Sequence, residues 1–172
     1  VETEIEILRQ MGVEFVKDCV VGKTISIAQL EEEGYKGVFV ASGAGLPNFM
    51  NIPGENSINI LSSNEYLTRV NLMDASNPDT DTPMHIGKRV AVIGGGNSAI
   101  EEATYLSTIV DKVHVVMRRD VFRADKIISD KALAADNIVF HYKKKPAEVL
   151  SEDNKVVGLK VTDSDTNEPS VI

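Results

Sequence analysis

Apolar positions recur at helical spacing from the first residue: Ile5 and Leu8 form a stripe in VETEIEILRQ (1–10), and Gly12 stands where a C-terminal cap belongs. Residues 13–16 (VEFV) then read as a short strand. Ser26-Ile27-Ala28-Gln29 has the form of a capping box, and the helix it opens runs to about Gly34. Val38-Phe39-Val40-Ala41 is a continuous apolar run of the buried-strand type, leading into Ser42-Gly43-Ala44-Gly45 and a Pro/Gly loop through Asn56. Ser62-Ser63-Asn64-Glu65 is a second capping box, ahead of a helix carrying Tyr66, Leu67, Val70 and Met73.

The pattern breaks at residues 74–85 (DASNPDTDTPMH), where two prolines and three aspartates leave almost nothing to bury, as in a linker. Beyond it the elements follow closely. A strand is expected at 90–93, a helix at 97–110, a strand at 113–117, a helix at 126–135 and a strand at 138–142. Residues 147–150 and 156–161 flank Glu152-Asp153-Asn154 as a β-hairpin. The last six residues, NEPSVI, show no closing element. The expectation is an α/β chain in three parts: 1–73, a linker at 74–85, and a compact unit at 86–172. Its start inside a helix and its open end read as a piece excised from a larger protein.

Composition narrows the class. Of 172 residues 42% are hydrophobic and 26% charged, which excludes wholesale disorder. No apolar run approaches the ~20 residues of a membrane span, and no secretory-type leader is present, so a cytoplasmic address is expected. The single cysteine, Cys19, permits no internal disulfide and no cysteine-built metal site. With 18 Lys+Arg against 26 Asp+Glu the net charge is −8, which argues against a nucleic-acid partner and makes any basic cluster informative.

The most specific pattern is GKRVAVIGGGNSAIEEATYL (87–106). Val90-Ala91-Val92-Ile93 has the β-branched character of a parallel strand covered on both faces. Gly94-Gly95-Gly96-Asn97-Ser98-Ala99 then fits G-x-G-x-x-G/A. In that pattern Gly94 turns the chain out of the strand, Gly96 removes the side chain where a pyrophosphate approaches, and Ala99 lets the helix pack closely. Ile100, Ala103, Leu106 and Val110 form the inward face of the helix, with Glu101, Glu102 and Thr104 outward. Its N-terminus would face the phosphates. Such a loop also serves as a plain strand-to-helix turn; a strand before, a helix after and a second strand at the right distance favour a dinucleotide.

The second strand bears on which dinucleotide. NAD sites place an acidic residue about 20 positions past the glycines. Here Val113-His114-Val115-Val116-Met117 ends in Arg118-Arg119, with Arg123 and Lys126 following. Guanidinium forks match a phosphate, whereas a carboxylate would repel it. A basic run is ordinarily a solvated face, but its place after this strand points to NADP(H), with Arg118, Arg119 and Arg123 around the 2′-phosphate. Asp120 is expected to cap the next turn.

These residues resemble known families. GKRVAVIGGGNSAIEEATYLS with VVMRRDVFRADKI is similar to the NADPH-binding domain of bacterial thioredoxin reductases, whose His-Arg-Arg-x-x-x-Arg clamp is matched by the three arginines while Met117 replaces the histidine. VGKTISIAQL, VFVASGAGLPNFMNIPGEN and SSNEYLTRVNLM (within 21–73) resemble the small subunit of NADPH-dependent glutamate synthase and related ferredoxin–NADP oxidoreductase subunits. Both resemblances imply one plan, an NADPH-binding Rossmann-type domain inserted in an FAD domain, with hydride passing from nicotinamide to flavin. Thioredoxin reductases also carry a Cys-x-x-Cys near the NADPH domain; Cys19 lies in the wrong segment, so dithiol chemistry on this chain is excluded.

The resemblance therefore implies an NADPH-dependent flavoprotein oxidoreductase, glutamate synthase small-subunit-like. Its fold would be a Rossmann-type parallel sheet with a β-hairpin plus a partial FAD-domain segment. The implied partners are the dinucleotide and an electron-transfer or glutamate synthase large subunit. Only Val38 to Gly45 survives of the flavin side, so this chain alone is expected to be inactive. No catalytic acid or base is assigned, because hydride transfer between stacked rings needs geometry. The alternatives are a non-catalytic NADP(H)-binding module and an interaction fragment. His85, His114 and His141 lack metal-ligand spacing and read as structural; Lys143-Lys144-Lys145 reads as a solvated strand end.

Overall fold

The computed structural model describes every residue except Val1, Ala44, Ser76, Pro83, His85 and Ile86. The expected helix start at Val1, Ala44 of the Ser-Gly-Ala-Gly turn, His85 and the domain start at Ile86 therefore lie outside the described residues. The chain forms two compact units, Val1–Gly43 and Ala44–Ile172.

In the first unit, helix α1 (Glu2–Gln10) ends where glycine permits a left-handed residue. Gly12 has φ +89°, its N–H donates to Arg9 O at 2.9 Å, and the Val13 N–H reaches back to Leu8 O at 3.0 Å. Helix α2 (Ile27–Glu32) is opened by the full capping box: Ser26 Oγ accepts from Gln29 N, and Gln29 Oε1 accepts from Ser26 N at 2.9 Å. Neither expected strand forms. Residues 13–17 and 37–43 have no regular structure, and Phe39 is 92% and Val40 80% exposed. A strand exists only where a neighbour takes its N–H and C=O groups. Among the described residues, this unit offers one isolated bridge, Val21 to Ile25.

The second unit holds α3 (Ser63–Leu72), then β1 (Arg89–Ile93), α4 (Asn97–Leu106), β2 (Lys112–Val116), α5 (Lys126–Leu133) and β3 (Ile138–His141). After them come β4 (Lys144–Glu152), β5 (Lys155–Asp163) and β6 (Pro169–Val171). Strands β1, β2 and β3 form a parallel sheet in that order, with Ala91 beside His114 and His114 beside Val139. Parallel neighbours need crossovers, which α4 and α5 supply. The α/β class with a parallel sheet and a hairpin is thus as the sequence indicates.

Strand β1 departs from expectation. It is an edge strand, so Val92 is buried while Ala91 and Ile93 are exposed; the strand buried on both faces is β2. One face of the sheet packs Val92, Val113, Val115, Met117 and Ile138 against Ile100, Ala103 and Leu106 of α4 and Ala132 of α5. On the other face Val116 joins Val149, Leu159 and Val161 of the antiparallel sheet.

The hairpin β4–β5 turns on Asp153 and Asn154, whose φ values of 49° and 61° suit a two-residue turn matching the strand twist. The last residues do close the fold: β6 pairs with β5, and Ile172 and Leu159 exchange backbone hydrogen bonds of 2.9 and 3.0 Å. Pro169 is tolerated there because it begins an edge strand. Helix α4 stops at Leu106, four residues short of expectation. The Ser107 and Thr108 hydroxyls bond the Thr104 and Tyr105 carbonyls, competing with the helical ladder.

Beyond α3, Ala75 is 2% exposed, its N–H donates to Arg69 O, and its carbonyl accepts from Met84 N. The boundary between the compact units lies ahead of this stretch, at Gly43.

Candidate functional site

The glycine loop hangs from the end of β1. Gly94 N–H donates to Val116 O at 3.0 Å, with a φ of +145° that side chains rarely adopt. A Cβ placed there would sit 2.8 Å from the Ala99 Cβ, so the turn and the first turn of α4 are in contact. Gly95 lies over Met117, and its carbonyl accepts from Arg123 N at 2.8 Å and Ala124 N at 3.1 Å. Gly96 is the N-cap of α4; it offers no capping side chain, and a Cβ there would meet nothing within 4 Å. The N–H groups of the first turn therefore have no side-chain cap at the positive end of the helix.

Asn97 is occupied otherwise. Its Nδ2 donates to Asp125 Oδ2 at 2.9 Å, and its Oδ1 accepts from Asp125 N at 2.8 Å. With the two bonds to Gly95 O, this ties the glycine loop to the segment carrying Arg123. Ser98 is exposed. The same segment is anchored by Phe122, edge-on to Phe140 at 5.3 Å and to Tyr142 at 6.1 Å between ring centres.

Gly94, Gly95, Arg118, Arg119 and Arg123 line one cleft of about 250 Å³ at the C-terminal ends of β1 and β2. The three arginines are exposed and, among the described residues, form no ion pair. Met117, in the clamp's histidine position, is 2% exposed, packs beneath Gly95 and also lines the cleft. Among the described residues Asp120 caps no turn; its carboxylate lies 3.6 Å from Lys143 Nζ.

Sequence reading missed part of this wall. Lys144, Lys145, Pro146 and Met50 also line the cleft. Met50 is held by Glu55, whose carboxylate accepts from Met50 N and Asn51 N, each at 2.7 Å. Lys143 stands in the turn before β4, and Lys144 and Lys145 begin the strand, whose first N–H, at Lys144, donates to Met117 O at 2.9 Å. Lys144 Nζ pairs with Asp163 at 3.0 Å. The Asp163 carboxylate accepts from the N–H groups of Asp165 and Thr166 as well as from Lys144, which hold it far below the usual carboxylate range. The KKK run was the available signal, but only strand pairing shows where it goes.

Glu102, expected outward with Glu101, is half-buried. Its Oε1 and the Tyr66 hydroxyl are each buried without a partner among the described residues. Burial, then the neighbouring Glu101, raises the Glu102 carboxyl above its ordinary range; burial, Tyr105 and Glu102 do the same to Tyr66. His114 and His141 stack across β2 and β3, with Nδ1 and Nε2 2.9 Å apart. Burial lowers both imidazoles, His114 further by His141, Arg89 and Lys112, and His141 by Lys144.

Residues 2–171 match the pyridine nucleotide-disulphide oxidoreductase family. The chain belongs to this family. Thioredoxin reductase of Vibrio cholerae is 45% identical over 83 residues, 46% of this chain and 26% of that protein. The F component of alkyl hydroperoxide reductase in Escherichia coli (strain K12) is 36% identical over 128 residues, 74% of this chain and 22% of that one. Thioredoxin reductase of Bacillus subtilis is 28% identical over 168 residues, 94% and 49% of the two chains. The chain thus spans between about a fifth and a half of these relatives' length. The crystal structure of Lactococcus lactis thioredoxin reductase is 34% identical with a TM-score of 0.48, covering 49% of this chain and 28% of that one. The family member described here has no helix, among its described residues, long and apolar enough to cross a membrane.

Proposed function

We propose that this chain is the NADP(H)-binding portion of a flavoprotein oxidoreductase that passes hydride from NADPH to FAD. One observation carries the reading: Gly94 and Gly95 of the glycine loop share a single cleft with three arginines that form no ion pair among the described residues. The residues fit the dinucleotide. Gly94 and Gly95 line the cleft in which the arginines supply guanidinium forks, and next in the chain, outside that lining, Gly96 leaves room against the backbone and the first turn of α4 has no side-chain cap. The described residues give a flavin no enclosed seat, since Phe39 and Val40 are largely exposed and residues 37–43 form no strand. This chain's part is to bind and orient the nucleotide, and no proton-transferring residue is needed for that.

Within this class, the sequence resemblance of residues 22–73 supports an electron-input chain like the small subunit of NADPH-dependent glutamate synthase, handing electrons to a partner protein in the cytoplasm. The presence of one cysteine supports it too, since no dithiol pair lies ahead of the glycine loop. Similarity to thioredoxin reductases and to the alkyl hydroperoxide reductase component supports the second reading, a disulphide-reducing parent.

Calorimetric titration of the 172-residue chain with NADPH and NADH tests the nucleotide assignment. NADPH is expected to bind at least about tenfold more tightly, and Arg118→Ala/Arg119→Ala to abolish the difference, charged contacts being worth about 1.5–3 kcal/mol each. Equal affinities in the wild type overturn the NADP(H) reading, and no binding of either leaves an interaction fragment.

A further inference from the structure

The cleft is lined by five cations and, among the described residues, by no carboxylate, in a chain whose net charge is −8. Like charges crowded at one site repel, so the four of them without a carboxylate partner among the described residues, Arg118, Arg119, Arg123 and Lys145, call for an anion. Two of the three lysines in the run have their counter-charge in place. Lys143 Nζ lies 2.8 Å from Asp165 and 3.6 Å from Asp120, and Lys144 Nζ lies 3.0 Å from Asp163. Lys145 is exposed and has no carboxylate partner among the described residues. Its place is set by the backbone on both sides. Lys144 N–H bonds the Met117 carbonyl at the point where the chain continues into Arg118, and the Lys145 carbonyl accepts from Thr162 Oγ1 at 3.5 Å, in register with the pairing of Lys145 and Thr162.

We propose that Lys145 is the fourth cation of the 2′-phosphate site, a specificity-determining residue delivered by the antiparallel sheet to a clamp otherwise built after β2. The inference rests on the NADP(H) reading above. A phosphate monoester presents three oxygens and about two negative charges. Planar guanidinium forks approach it from fixed directions, and a compact ammonium on a flexible stem takes an oxygen they leave open.

Titration of the full chain with NADPH and NADH, using Lys145→Met and Lys145→Arg, tests this. Lys145→Met is expected to weaken NADPH about tenfold, leaving NADH affinity and Tm unchanged, while Lys145→Arg retains NADPH preference. If Lys145→Met keeps the full preference while Arg118→Ala/Arg119→Ala loses it, the role of Lys145 is overturned and the NADP(H) reading stands. Equal loss of NADPH and NADH also overturns it, because the contact is then not to the 2′-phosphate. Equal binding of NADPH and NADH by the wild type overturns both.

Discussion

At Gly94 the backbone holds a φ of +145° with Ala99 pressed against it, a conformation and a contact that no side chain would share. That demand is local, and it is why the glycine loop was legible in sequence. Lys145 was not, because its meaning comes from the pairing of β4 and from aspartates 18 and 20 residues further on that satisfy its neighbours. Glu102 shows the same limit: helical spacing alone does not reveal that Tyr66 of α3 packs alongside α4. A carboxyl raised by burial is stabilising when protonated and costs stability as pH rises through its range. Glu102→Gln is therefore expected to raise stability at pH 7.5, with the gain disappearing towards pH 4. Solvent screening of the half-exposed group keeps the gain to about 0.5 kcal/mol. Thermal unfolding at the two pH values checks it, and a loss at pH 7.5 would show that the carboxylate has a partner worth keeping.

Among the elements, those with their own signals were read well. Ser26 with Gln29 opens α2, and Asp153-Asn154 turns the hairpin. Elements that depend on a neighbour were not. The runs at 13–16 and 38–41 look like strands but have no strand beside them, whereas the unremarkable Pro169–Val171 becomes one because β5 offers an edge. The histidine pair is likewise a product of register, since His114 and His141 meet only because β2 and β3 are parallel neighbours. Both imidazoles are lowered, so below about pH 6.5 the unfolded chain binds protons that the folded one resists. Stability is present above that pH and is lost as pH falls through it. The Tm is expected to drop by several degrees between pH 7.5 and pH 5.5, a change of about 1 kcal/mol, and His114→Gln is expected to flatten the dependence. An unaltered slope in the variant would place the acid sensitivity elsewhere.

Across the second unit, the cleft is shared by two sheets that meet in one small core at Val116, Val149, Leu159 and Val161. The parallel sheet carries the glycine loop and the arginines, and the antiparallel sheet reaches them through a short set of backbone bonds. Lys144 N–H meets the Met117 carbonyl at 2.9 Å, Ser164 N–H meets the Lys143 carbonyl at 2.7 Å, and Ser164 Oγ meets the Arg118 carbonyl at 3.1 Å. The Lys144 amide and the Ser164 hydroxyl thus bond the carbonyls of Met117 and Arg118, while the Ser164 amide is held by Lys143 beside them. Amide hydrogen exchange would register a ligand there: saturating NADPH should slow exchange at both by up to about a hundredfold where release needs the clamp to open, matching the occupancy at a hundred times Kd. Unchanged rates at those amides would mean that the two sheets breathe independently. Slowed exchange at Ser164 would make the antiparallel sheet a remote listening post, since the turn that bonds the Arg118 carbonyl holds none of the residues lining the cleft.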